Sequence, residues 1–139
     1  MTDGQGVELD TDSIVETLQS ALHDLEFVYL FGSQARGDAR GQSDVDIAYL
    51  AGTHLNGSDR FRLQESIAAR LHRDVDLVDL ADASTVMRVQ VIDGGRVLFA
   101  RDDVARQRFE MTALSAYARL NEERRGILED VRRRGTIHG

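Results

Sequence analysis

The chain has 139 residues and a formal charge of −7, from 17 basic and 24 acidic side chains, and it contains no Lys, Cys or Pro, so every basic side chain is Arg. The absence of Cys excludes a disulfide, a thiolate nucleophile and a Cys-ligated zinc. A composition that is 42% apolar is enough to cover one core in a single domain of this length.

The charge is unevenly spread. Residues 1–100 carry 8 Arg against 17 acids and residues 101–139 carry 9 Arg against 7, a net of −9 followed by +2. An acidic body lacks the basic face that phosphate counterions would exchange for, so no direct nucleic-acid binding is expected. No stretch approaches the ~20 apolar residues of a membrane span, and the opening MTDGQGVELD has neither the basic region nor the apolar run of a signal peptide. A cytoplasmic protein is the expectation.

In chain order, residues 1–10 are polar and Gly-containing and read as a flexible lead-in. A helix follows, with Ser13 and Glu16 at capping-box spacing and Ile14, Leu18, Leu22 and Leu25 forming one apolar stripe. Residues 26–31 are aromatic and branched and predict a buried strand that ends at Gly32. Residues 37–43 have loop composition, and 44–50 predict a second strand.

After a Gly/Asn/Ser loop, a helix is predicted over about 59–72, presenting Phe61, Ile67 and Leu71, and a third strand over 75–80. Residues 83–92 suit a short helix, and Gly94-Gly95 turns the chain into a fourth strand over 96–100. Asp102 or Asp103 can cap a final long helix that runs to about 133 with Phe109, Ala113, Tyr117 and Leu120 inward. Helices and strands alternate without repeat or linker, which predicts one small α/β domain over 11–139.

The chemistry concentrates at two strand ends. Gly32-Ser33 closes the first strand, and Asp44-Val45-Asp46 opens the second. Residues i and i+2 of a strand point to one face, so the carboxylates of Asp44 and Asp46 project side by side and repel each other unless a cation lies between them. A divalent ion such as Mg²⁺, commonly held by one or two carboxylates together with substrate phosphates, answers that repulsion.

The Gly-Ser turn just ahead offers backbone N–H groups and a hydroxyl that can cradle those phosphates, and Gly32 permits close approach to the backbone. A second metal would require a further carboxylate. Of Asp74, Asp76 and Asp79 on the third strand, Asp76 is preferred. It is flanked by Val75 and Leu77, where a lone buried carboxylate is costly unless paired or metal-bound.

The run Phe31-Gly-Ser-Gln-Ala-Arg-Gly-Asp38 through Ser43-Asp-Val-Asp-Ile47, followed by the segment 75–86, resembles the signature of the DNA-polymerase-β-type nucleotidyltransferases in their minimal form, MNT. Within that family it is most similar to the antitoxins of HEPN/MNT pairs. The resemblance implies a polymerase-β-like mixed sheet flanked by helices, and an antitoxin that uses ATP and Mg²⁺, with two ions, to move AMP onto a tyrosine of a cognate HEPN ribonuclease toxin. Pyrophosphate leaves, the toxin is neutralised, and the two proteins form a hetero-oligomer.

By the same resemblance Gly32 and Ser33 bind the triphosphate, and Asp44 and Asp46 are metal ligands. Asp76 is the third carboxylate and a candidate general base, and Arg36 neutralises phosphate charge. Two other roles compete: nucleotidyl transfer to a small molecule, and a non-catalytic module that covers the toxin. The four His residues, at 23, 54, 72 and 138, lack helical metal-ligand spacing and read as surface residues.

Overall fold

In the computed structural model, which describes residues 9–36 and 44–134, the run 25–31 forms the strand β1 (Leu25–Phe31) at the centre of the fold. Its apolar residues on both faces dictate that place, because only a central strand has a layer on each side. The antiparallel strand β2 (Val45–Ala51) flanks it on one side and β4 (Arg96–Ala100) on the other, and β3 (Val75–Asp79) lies parallel to β2 at the edge. The sheet order is β3-β2-β1-β4. The expected α/β architecture with a mixed sheet is the one that forms.

Alternation divides the sheet into two faces. Val28, Leu30, Val45, Ile47, Tyr49 and Leu77 pack against α1 (Thr11–Ala21) and α3 (Gly57–Leu71). Phe27, Tyr29, Ala48 and Leu80 pack against α4 (Thr85–Gly94) and α5 (Asp103–Arg134), through Val91, Met87 and Phe109. Ile14, Leu18, Val28, Ile47 and Ile67 are fully buried. Each such side chain contributes roughly 1.5–3 kcal/mol by leaving water.

Several helix ends differ from the sequence expectation, each for a local reason. The cap of α1 is Asp10, whose carboxylate accepts from the Ser13 N–H at 3.1 Å and from its hydroxyl at 2.7 Å, so Ser13 lies inside the first turn instead of ahead of it. At α3 the Asn56 side chain accepts from the Asp59 N–H at 2.7 Å, which starts the helix at Gly57. His72 ends it in the left-handed conformation at φ 55°.

Phe61 is 60% exposed, and the inward residues of α3 are Leu63 and Ile67. A helix advances 100° per residue, so Leu63 and Ile67, four apart, share the stripe that Phe61 leaves. Ser84 caps α4 through the Met87 N–H. A Cβ on Gly95 would overlap the Val91 carbonyl, so only glycine permits the direct passage from α4 into β4.

The long C-terminal helix begins where Asp102 accepts from the N–H groups of Val104 and Ala105. Of its expected inward residues Ala113 is buried, and Phe109, Tyr117 and Leu120 are half-buried. Two side-chain networks join this layer to the sheet. The Tyr29 hydroxyl donates to Glu110 Oε2 at 2.5 Å, and Arg106 pairs with Glu110 at 2.6 Å and Asp103 at 2.8 Å. Arg88 donates to the carbonyls of Leu80 and Ala81 and lies over the Phe109 ring.

Candidate active site at one end of the sheet

The end of β1 and the beginnings of β2 and β3 meet at one edge of the α4/α5 face. Phe31 is the register partner of Asp46, and Asp46 is the register partner of Asp76. Partners on adjacent strands point to the same face about 4.8 Å apart, so the Asp46 and Asp76 carboxylates project together. Asp44 stands two residues before Asp46 and immediately precedes β2, where it is exposed. On β2 and β3 the apolar layer of this face reaches only as far as Ala48 and Val78, with half-buried Phe31 on β1 at its rim, so the carboxylates lie at the border of the layer.

Gly32 follows β1 at φ 74°, and a Cβ there would overlap Asp46 Oδ2. The glycine is thus required twice, by its left-handed backbone and by the carboxylate lying against it. Ser33 opens the four-residue helix α2 (Ser33–Arg36) directly after this turn. The turn and the three carboxylates consequently share one corner of the molecule. The Arg36 side chain, the loop 37–43 with Asp38 and Arg40, most of the lead-in and the tail with His138 lie outside the described residues.

One expectation about the third carboxylate is corrected. Asp76 is exposed, and Asp79 is the buried carboxylate of β3, at 7% exposure. The apolar neighbours of Asp76, Val75 and Leu77, face the α1/α3 layer, whereas Asp76 faces the border of the other layer. Burial therefore does not single out Asp76; its register with Asp46 does. Asp79, an odd number of residues away, pairs with Tyr49 on the other face, and the Asp74 backbone carbonyl accepts from the Val45 N–H.

All three side chains of the corner carry hard oxygen donors, Asp44 and Asp76 exposed and Asp46 half-buried against Gly32, a donor set that fits Mg²⁺. A hollow of about 420 Å³ beside β3 is lined by Asp76, Asp79, Asp82, Arg60 and Met87, so Asp76 faces space in which a second reactant fits.

A second group of ligating side chains lies at the other end of β3, where His54 approaches Asp79 and Asp82. The sequence gives no spacing for it, because His54 comes from the β2–α3 connection and Asp79 and Asp82 from the end of β3 and the turn after it.

The polymerase beta nucleotidyltransferase family model matches residues 12–104. Protein adenylyltransferase MntA of Shewanella oneidensis is 38% identical over 126 residues, which span 89% of this chain and 88% of that protein. A crystal structure of a toxin–antitoxin with AMP-PNP superimposes with a TM-score of 0.80 at 37% identity, over 88% of this chain and 98% of the other. The structure of a tri-AMPylated Shewanella oneidensis HEPN toxin in complex with MNT antitoxin gives 0.73 at 35% identity, over 86% and 93%. With a family model matched over two thirds of its length and a relative 38% identical over most of both chains, the chain belongs to the polymerase beta nucleotidyltransferase family, and its enzymatic class is nucleotidyl transfer.

Proposed function

We propose that this nucleotidyltransferase is a protein adenylyltransferase antitoxin, which moves AMP from ATP to a tyrosine of a HEPN-domain toxin and holds that toxin in a hetero-oligomer. The observation that carries the reading is the convergence of Asp44, Asp46 and Asp76 beside Gly32-Ser33, in a chain with 38% identity to a protein adenylyltransferase. The catalytic domain spans 11–139 behind the lead-in 1–10, and the setting is cytoplasmic.

In this reading Ser33 and the backbone of the turn hold the triphosphate, and Arg36 balances part of its charge. Asp44, Asp46 and Asp76 would hold two Mg²⁺ ions, which supply charge neutralisation on the phosphates and a lowered barrier to deprotonating the acceptor. The tyrosine oxygen attacks the α-phosphorus, its proton passes to the Asp76 carboxylate, and the bond from the α-phosphorus to the pyrophosphate oxygen breaks in line. Positioning and charge compensation carry most of the acceleration, as is usual for phosphoryl chemistry.

Replacing Asp44 and Asp46 by Asn abolishes transfer of label from α-labelled ATP to the toxin; undiminished labelling by the double variant defeats the reading. A contribution from simple covering of the toxin is favoured by one observation, the exposed apolar residues Met111, Leu114, Ile127, Leu128 and Val131 on α5. Growth protection retained by the Asp44→Asn, Asp46→Asn variant assigns neutralisation to covering, and lost protection assigns it to chemistry.

A further inference from the structure

At the far end of β3, away from the carboxylate corner, the connection after β2 brings His54 against the turn that follows β3. Its Nδ1 lies 3.8 Å from Asp79 Oδ2 and 3.7 Å from Asp82 Oδ2. The three ligand atoms lie within 4.8 Å of one another. The Asp79 carboxylate is buried, and its other oxygen already accepts from the Ala81 N–H at 2.9 Å, which fixes the direction in which Oδ2 points.

Behind this group stands Tyr49, the register partner of Asp79 and fully buried. Its hydroxyl makes no hydrogen bond, although a buried hydroxyl normally finds a partner. Burial, and then the Asp79 charge, raises the phenol above its ordinary pKa, and the hydroxyl lies on the side of Asp79 and Asp82. Arg60 lies near the same hydroxyl and offsets one of the two negative charges.

We propose that His54, Asp79 and Asp82 form a zinc site, with an open position for a water that the Tyr49 hydroxyl engages. One imidazole and two carboxylates form the three-ligand set that leaves zinc an exchangeable fourth position. Zinc bonds of about 2.0–2.2 Å place neighbouring ligands roughly 3.3 Å apart, so His54 must close on each carboxylate by about half an ångström, and the Asp79–Asp82 pair, within the 4.8 Å span of the group, by up to about 1.5 Å. His54 and Asp82 are exposed and free to make these movements, whereas Asp79 is held. The imidazole nitrogen disfavours Mg²⁺ here, which separates this site chemically from the all-oxygen corner. A bound ion would tie the β2–α3 connection to the β3–α4 turn and stiffen one wall of the hollow that Asp76 lines.

The test is calorimetric titration of chelator-stripped full-length protein with zinc sulfate in millimolar magnesium chloride, together with the melting midpoint. Expected are one zinc per chain, a zinc-dependent rise in the midpoint, and affinity lowered at least about tenfold in His54→Ala and in Asp82→Asn. The Asp44→Asn, Asp46→Asn variant is expected to bind zinc like the unmodified chain, and His54→Ala to retain adenylyl transfer in Mg²⁺. Absence of saturable zinc binding overturns the proposal. So does binding that survives His54→Ala but disappears in the Asp44→Asn, Asp46→Asn variant, which would place the ion at the catalytic corner. The transfer assay judges the adenylyltransferase reading separately.

Discussion

The carboxylate of Asp46 occupies the space that a side chain on Gly32 would need, so the turn that ends β1 and the acid that opens β2 are fitted to one another. Gly32 also adopts φ 74°, where a Cβ costs roughly 1–2 kcal/mol. Gly32→Ala is therefore expected to displace Asp46 and to strain the turn at once. Adenylyl transfer should fall at least about a hundredfold, the scale expected when a reacting group is misplaced by an ångström, while the far-ultraviolet circular dichroism keeps its native shape. Transfer within a factor of a few of the unmodified chain would show that the fit has no catalytic consequence.

The two acids of β3 should behave in opposite ways. Asp76 is exposed beside the corner, and Asp79 is buried with Oδ1 accepting from the Ala81 N–H at 2.9 Å. Asp76→Asn is expected to remove transfer and leave the urea midpoint where it was. Asp79→Ala removes a buried carboxylate and the hydrogen bond it accepts from the Ala81 N–H, and should lower stability by about 1.5–3 kcal/mol, the scale of a hydrogen bond to a charged group. The contrast is read by measuring transfer and urea unfolding on both variants; a stability loss in Asp76→Asn matching that of Asp79→Ala would contradict it.

How far the sequence revealed this molecule depended on whether a signal was local. The run 26–31 and the spacing from Gly32-Ser33 to Asp44 and Asp46 were legible because strand periodicity and turn chemistry act over a few residues, whereas Leu25, expected on the apolar stripe of α1, is the first residue of β1 because the helix ends at Ala21. The status of Asp76 was not, because the apolar neighbours that suggest a buried position face a different layer from its own side chain. Nor was the α1 cap: Asp10 and Ser13 both suit a cap, and only the backbone decides that Asp10 takes it. The meeting of His54 with Asp79 and Asp82 depends on two connections at one end of the sheet, a relation that no spacing encodes.

Tyr29 ties the central strand to α5. Its hydroxyl donates to Glu110, which also receives Arg106, and burial followed by the Glu110 hydrogen bond pushes the phenol above its ordinary pKa. Tyr29→Phe preserves the ring packed edge-on against Phe27 and removes only this bond. A hydrogen bond to a charged acceptor is worth about 1.5–3 kcal/mol, so the urea midpoint should fall by a corresponding amount. The loss should be much smaller in a Glu110→Gln background, because the charge that strengthens the bond is gone. An equal loss in both backgrounds would assign the effect to packing and not to the network.

Among the described residues, the Asp10 and Asp24 carboxylates have lowered pKa values and so contribute to acid sensitivity. The Ser13 hydroxyl and N–H hold the Asp10 carboxyl below its ordinary value, and the Thr53 hydroxyl, at 2.7 Å, does the same for Asp24. A lowered folded-state pKa means that the unfolded chain binds more protons in the window between the two values. The stability these groups add is complete above the unfolded-state pKa and is lost as the pH falls through the folded-state one. Thr53→Val removes the larger cause at Asp24, so the variant should be less stable than the unmodified chain at neutral pH. That difference should shrink as the pH drops below the ordinary Asp range and vanish once both forms of Asp24 are protonated. Urea unfolding at a series of pH values measures it, and a difference that stays constant down to the acid limit would mean that Thr53 stabilises by some route other than the Asp24 charge.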